Sequence, residues 1–295
     1  MTERLRWDRE GLGWPNREAS RFVEAAGLNW HVQEMGKGPL LLLVHGTGAT
    51  THSWAAILPL LSAHFRVVAM DLPGHGFTDK PAARRLSMPG MAKDLAALLD
   101  ALELKPQMVV GHSAGAAILM RMCLDGLAHP KLLVSLNGAL LPLSGMAGQF
   151  FSPMAKAMAR STLSAHFFSW SATRDRRSVT RLIDGTGSKL PRQDIEWYEM
   201  LARNPGHVWA AINMMANWEL GPLERDMTRL ETPLVLIAAG EDRSISPETA
   251  FRVKEKIPAA EVEYVTGLGH LAHEEDPQAM AELFLRLARS HGIAA

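Results

Sequence analysis

The run Gly111-His112-Ser113-Ala114-Gly115 sets a hydroxyl between two glycines, the spacing of a nucleophile elbow. A turn sharp enough to lift a hydroxyl clear of the chain leaves no room for side chains at its flanks, so glycine fills both. A serine attacks efficiently only with a base to take its proton, and the base needs an acid to orient it. Among twelve histidines, His270 stands out, in the glycine-rich stretch Gly267-Leu268-Gly269-His270 that follows the apparent strand Val262-Glu263-Tyr264-Val265. Asp242, in Gly240-Glu241-Asp242-Arg243, is the candidate acid, with Glu241 as its competitor. The other place for an acid, after the apolar run Leu132 to Leu136, holds Asn137, which favours Asp242. His45-Gly46-Thr47-Gly48 forms a flexible turn whose Thr47 N–H, with that of Ala114, would make an oxyanion hole. The chemistry these residues could perform together is acyl transfer through a covalent serine intermediate. His112 reads as a packing or hydrogen-bonding neighbour that points away from the nucleophile. His273 with Glu274 could suggest a metal pair, but no further ligand cluster accompanies it, so neither metal nor cofactor is expected. The glycine-rich stretches lack the lysine of a phosphate loop.

Side chains so distant in sequence can meet only on a scaffold that gathers its loops at one edge. Phe22 to Ala25 and Leu28 to Val32 flank Gly27 as a hairpin. Leu40 to Val44 is a continuous apolar run, as expected of a strand buried on both faces, and Phe65 to Met70, Gln107 to Val110, Leu132 to Leu136 and Leu234 to Ala238 read as further strands. Between them lie helical patterns, with Met91, Leu95, Leu98 and Leu102 on one face, then Ala114 to Leu124. Asp276 as N-cap and Pro277 at the first helical position open a last helix with Met280, Leu283, Phe284 and Leu287 as its buried stripe. The alternation predicts an α/β fold with a mostly parallel sheet and helices on both faces.

One segment, 144–218, carries no strand signal. It is read as a helical cap inserted in a core formed by 1–143 and 219–295. Its Met and aromatic residues read as the cap's own core or as an adaptable apolar pocket, and the two are compatible, because one face can be core and the other pocket. On the second reading Phe150, Phe151, Trp170, Trp197, Met214 and Met215 contact substrate.

Composition narrows the field. Thirty-one Lys and Arg balance 31 Asp and Glu, which gives no electrostatic reason to bind nucleic acid. The one cysteine, Cys123, cannot form an intramolecular disulfide or a multi-thiolate zinc site. The charged start, Met1-Thr2-Glu3-Arg4-Leu5-Arg6, does not read as a signal peptide, and no window is apolar enough for a transmembrane segment. A cytoplasmic location is the expectation.

The motifs His45-Gly46-Thr47-Gly48, Asp71-Leu72-Pro73-Gly74-His75-Gly76, the elbow, Asp242 and Gly269-His270 together resemble the α/β-hydrolase superfamily over nearly the whole chain. The resemblance implies an eight-stranded sheet, a cap after the sixth strand and the order Ser113, Asp242, His270. Trp14-Pro15-Asn16-Arg17-Glu18-Ala19-Ser20-Arg21-Phe22-Val23 and Thr47 to Trp54 look like the magnesium-chelatase accessory proteins (BchO type) of bacteriochlorophyll synthesis. That likeness implies a tetrapyrrole pathway, a porphyrin or its magnesium complex as ligand, and transient contact with magnesium chelatase. One departure is Ala239, where the family usually has glycine three residues before the acid.

Two functions follow. The first is a serine hydrolase, esterase-like, acting on or near a porphyrin intermediate. The second is a non-catalytic porphyrin-binding accessory protein, in which His166 or His207 of the cap could ligate a central magnesium. Dehalogenation and epoxide opening normally use a carboxylate nucleophile, where this elbow has serine. A cofactor-free lyase or perhydrolase could use the same three side chains.

Overall fold

The computed structural model describes residues 4–142, 156–159, 161–175 and 177–293. Eight strands form one sheet: β1 (Ser20–Ala25), β2 (Leu28–Met35), β3 (Leu40–Val44), β4 (Arg66–Met70), β5 (Met108–His112), β6 (Leu132–Leu136), β7 (Leu234–Ala239) and β8 (Glu261–Val265). Their order is β1-β2-β4-β3-β5-β6-β7-β8. The first hairpin pairs antiparallel, as does β2 with β4, and every later pair is parallel. The mostly parallel α/β sheet is the one that the alternation of strands and helices predicts, and eight strands is the number that the family resemblance implies. β3, β5, β6 and β7 are buried at every residue, which explains why their sequences do not alternate.

Helices α1 (Ile57–Ser62), α2 (Met88–Ala101) and α3 (Ala114–Leu124) lie in the first half. Between β6 and β7 come α4 (Thr162–Arg174), α5 (Arg177–Gly185), α6 (Arg192–Ala202), α7 (Pro205–Ala216) and α8 (Gly221–Asp226). The chain closes with α9 (Glu248–Lys256), the single turn α10 (Ala272–Glu275) and α11 (Pro277–Ser290). Asp276 caps α11 by accepting from Ala279 N–H at 3.0 Å. The sheet separates two apolar layers, one with α2 and α3, the other with α1 and α11. No helix among the described residues is long and apolar enough to cross a membrane.

The cap differs from the expectation that its Met and aromatic residues form its own core. Its private cluster is small and aliphatic: Ala172, Val179, Ile183 and Ile195, closed by Leu271 from the loop after His270. Trp209, Ile212 and Met214 of α7 join the main core over α2 and α3 instead. Helix α7 therefore bridges cap and core: it packs on α4 and α6, and its apolar side chains, with Ala165 of α4, continue the main cluster. Helical structure also runs past residue 218, through α8 to Arg229.

At the end of β4, Asp71 ties the scaffold together. Its Oδ2 lies 2.9 Å from His31 Nδ1 of β2 and accepts from Phe77 N–H at 3.0 Å, while Oδ1 accepts from Thr51 N–H at 2.7 Å. Burial alone would raise this carboxyl's pKa; the His31 charge and the N–H donors outweigh it and hold it well below the ordinary value. Removing one partner of a buried pair strands the other, at a cost of about 3–5 kcal/mol. Asp71→Ala is expected to lose about that much in urea unfolding at neutral pH, and Asp71→Asn less, since its amide oxygen still accepts.

Candidate active site

Ser113 sits where β5 turns into α3, with φ 51° and ψ −115°, a backbone that L side chains rarely adopt. Its own backbone bonds hold it there. The N–H donates to Leu136 C=O at 3.0 Å, and the carbonyl accepts from Ala116 N–H at 3.2 Å and Ala139 N–H at 3.0 Å. The flanking glycines are sterically required. A Cβ on Gly111 would lie 2.4 Å from Ala116 N, and one on Gly115 would lie 2.3 Å from Val44 O.

The carboxylate of Asp242 follows β7, and its Oδ1 accepts from the N–H groups of Ser244 at 2.7 Å and Ile245 at 2.9 Å. Those bonds turn Oδ2 toward His270, whose Nδ1 stands 2.7 Å away. With Nδ1–H donating to Asp242, Nε2 is left as the basic nitrogen. Glu241 is exposed and makes no such contact. His270 and Ser113 line one cavity of about 170 Å³, with Gly46, Thr47, His112 and Tyr198 among its walls.

Sequence reasoning used Asn137 only as the absence of an acid. The structure gives it a positioning role: Nδ2 donates to the carbonyls of Gly269 at 3.1 Å and His270 at 3.0 Å, and Oδ1 accepts from Ala239 N–H at 2.9 Å. One buried amide thus joins the ends of β6 and β7 to the histidine loop. Asn137 pays for this with φ 47°, a region that asparagine tolerates better than most residues. His112 donates from Nε2 to the same His270 carbonyl at 3.0 Å, and its ring lies 4.6 Å from that of His270. Burial keeps its pKa well below the usual histidine value, so it is a neutral brace.

Thr47 and Ala114 both border a second cavity, of about 780 Å³, that also meets Ser113. Ala114 is the first residue of α3, so its N–H has no intrahelical acceptor. Among the described residues neither N–H is used in a hydrogen bond. The turn around Thr47 is fixed by His45, whose Nε2 accepts from Leu72 N–H at 2.9 Å while Nδ1–H donates to Gly46 C=O at 2.7 Å. His207 fixes its other end: Nδ1 accepts from Gly76 N–H at 3.1 Å and Nε2–H donates to Gly48 C=O at 3.0 Å. With both ring nitrogens committed and the side chain buried, His207 has no lone pair for a magnesium ion, which corrects that reading. His166 is exposed on α4.

His273 and Glu274 are not arranged as metal ligands. His273 Nε2–H donates to Ser53 Oγ at 2.9 Å, and Glu274 accepts from Ser53 and from Tyr198 of α6 at 2.6 Å. Burial pushes the Glu274 carboxyl up to about 8. Of the six cap residues expected at substrate, Met215 lines the larger cavity. Met214 lies beneath it, fully buried, receiving the Thr47 hydroxyl on its sulfur at 3.4 Å. Trp170 and Trp197 border neither cavity: Trp170 is half exposed, and Trp197 packs edge-on against Trp14 at 5.4 Å. Phe150 and Phe151 lie outside the described residues.

A serine on a strained strand–helix turn, with an imidazole and carboxylate on later loops of a mostly parallel sheet, is the architecture of the α/β hydrolases. The model of the alpha/beta hydrolase family matches residues 41–283, and the chain belongs to that family. It is 36% identical over 275 residues to the magnesium-chelatase 30 kDa subunit of Rhodobacter capsulatus, covering 92% of this chain and 95% of that protein. Among solved structures, an alpha/beta hydrolase fold protein from Burkholderia ambifaria superposes with a TM-score of 0.74 at 25% identity, covering 90% of this chain and 99% of the other. An esterase from Exiguobacterium antarcticum shares the fold, with a TM-score of 0.74 at 18% identity over 91% and 98% of the two chains.

The histidines behind the turn, together with the equally buried His52, His112 and His273, make the fold sensitive to acid. Burial, above all, lowers His45 to about 4 and His75 and His207 to about 3. Below the ordinary value of 6.5 the unfolded chain takes up protons that the folded chain refuses. Their contribution is therefore intact above pH 6.5 and is lost as pH falls toward 4, at up to about 1.4 kcal/mol per pH unit for each group. The melting temperature is expected to drop steeply between pH 6.5 and 4, and less steeply in His207→Gln, as read by calorimetry across that range.

Proposed function

We propose that this chain is a serine hydrolase that cleaves an ester, or a related acyl group, on a tetrapyrrole intermediate of bacteriochlorophyll synthesis. The observation that carries the reading is the 2.7 Å bond from His270 Nδ1 to Asp242 Oδ2, beside a strained Ser113 in the same cavity. Ser113 Oγ attacks the acyl carbon while His270 Nε2 takes its proton, and Asp242 stabilises the imidazolium. The Thr47 and Ala114 N–H groups receive the developing oxyanion. The alcohol departs with the proton from His270, and water then releases the acid by the same steps in reverse.

The two cavities that meet at Ser113 suggest how the ester lies. The leaving oxygen must come within reach of the imidazole. His270 lines only the smaller space, of about 170 Å³, which accommodates a short alcohol, methanol among them, but not a long chain or a macrocycle. The larger space, of about 780 Å³ and mostly apolar in its lining, takes the bulky acyl side. The tetrapyrrole identity of that body is inferred from the likeness to the magnesium-chelatase 30 kDa subunit.

That relative also favours a second reading, a binder that holds pigment for magnesium chelatase without turning it over. A fluorophosphonate separates the two. Rapid labelling of wild type, absent in Ser113→Ala and slowed about 10²-fold or more in His270→Ala, is expected of the hydrolase. An unlabelled wild type that still binds porphyrin would support the binder. Asn137→Ala is expected to slow labelling with less effect, since it loosens the histidine loop without removing a reacting group. With one bulky apolar acid, methyl and ethyl esters are expected to be cleaved with higher kcat/KM than tert-butyl or octyl esters.

A further inference from the structure

Helix α4 turns its bulky apolar side chains the wrong way for a helix that only packs on its own protein. Its inward face is built from small residues, Ala165, Ser169 and Ala172, exposed by 1%, 3% and 8%. Their spacing is the i, i+4, i+7 of one helical stripe. The opposite face carries Leu163, Phe167 and Trp170, exposed by 75%, 61% and 52%, at the same spacing, with Phe168 beside them. Folding stability would favour the reverse arrangement, because large apolar side chains gain most from burial. Contiguous exposed apolar groups of this kind mark a surface that meets something apolar.

The surroundings of the patch identify the occupant. Phe167 and Trp170 have ring centroids 6.1 Å apart, and the Arg174 guanidinium lies 4.5 Å from the Trp170 ring. No acidic residue occurs in α4. The next carboxylate, Asp175, is engaged by Arg181 and accepts from Arg177 N–H at 3.0 Å, so the end of the helix presents arginine outward. Trp, Phe and Leu on one face with arginine at its border is the composition of a helix lying in a bilayer interface, where rings enter the acyl boundary and guanidinium groups meet anionic headgroups. A second copy of this chain would bring α4 no carboxylate on the matching helix to answer its arginines.

We propose that α4 docks the protein on the surface of an anionic bilayer, with Leu163, Phe167 and Trp170 entering the headgroup–acyl boundary and Arg174 binding lipid phosphate. The attachment is peripheral, and it holds whether or not Ser113 acts as a nucleophile.

The test is flotation of the full chain with vesicles of phosphatidylcholine containing roughly one third phosphatidylglycerol, against vesicles of phosphatidylcholine alone. Wild type is expected to float with the anionic vesicles and weakly or not at all with the neutral ones. Leu163→Ser with Phe167→Ser is expected to lower partitioning about tenfold or more. Both side chains are largely exposed, and an unchanged melting temperature checks that the variant folds. Independently, lipids brominated on the acyl chain are expected to quench part of the tryptophan emission, and that part should vanish in Trp170→Phe. This separates immersion among acyl chains from capture of a free phosphate. Wild type that stays unbound, a double variant that floats equally well, or quenching unaltered in Trp170→Phe would overturn the proposal. So would a concentration-dependent dimer, dissolved by the same two substitutions, in a protein that ignores vesicles.

Discussion

The geometry of this edge of the sheet depends on one buried side-chain amide. Asp242 and His270 sit on separate loops after β7 and β8, and a bond between two side chains of that kind is only as reliable as the backbones beneath it. Asn137 anchors both backbones at once, taking the N–H of Ala239 and giving its own protons to the carbonyls of Gly269 and His270. His112 adds a second donor to the His270 carbonyl. In a buried, low-dielectric setting a fully paired amide such as that of Asn137 is rigid, whereas the His112 Nδ1 beside it has no partner among the described residues. Rigidity there is what lets the 2.7 Å contact between imidazole and carboxylate persist without support from solvent.

The same logic extends to the turn that carries Thr47. Backbone N–H groups can be aimed at an oxyanion only if the peptide units around them are fixed, and two neutral imidazoles do that from opposite ends, His45 within the turn and His207 from α7. Their neutrality is necessary to the bonding, since each uses one nitrogen as acceptor. Burial supplies the neutrality by penalising the charged form.

Much of the fold was legible because parallel strands buried on both faces leave a short, mostly apolar run ending in a turn, and these runs alternate with helical patterns. The elbow, Asp242 and His270 were legible because strained turns demand glycine and because each residue follows such a run. What stayed hidden has a common physical cause. Asn137, His112 and His207 act through backbone atoms far away in sequence, and a side chain that binds a distant carbonyl leaves no pattern around itself. The cap was hidden for another reason. Methionine and aromatic side chains look alike in sequence whether they fill a core, line a cavity or face outward, and here Met214, Met215 and Trp170 do one of each.

Leu271 has a consequence for entry to the cavity. It follows His270 directly, its side chain completes the small aliphatic cluster of α4 to α6, and its N–H donates to Ser188 Oγ between α5 and α6 at 2.8 Å. The roof of the smaller cavity comes from the same helices, which supply Leu182 and Ile183 of α5 and Tyr198 of α6. A shift of that roof would withdraw the plug around Leu271 and loosen the peptide next to the imidazole. Opening of the smaller cavity and alignment of His270 are thus tied together through one side chain and one peptide N–H, whereas the larger cavity, among the described residues, has none of α5 or α6 in its lining.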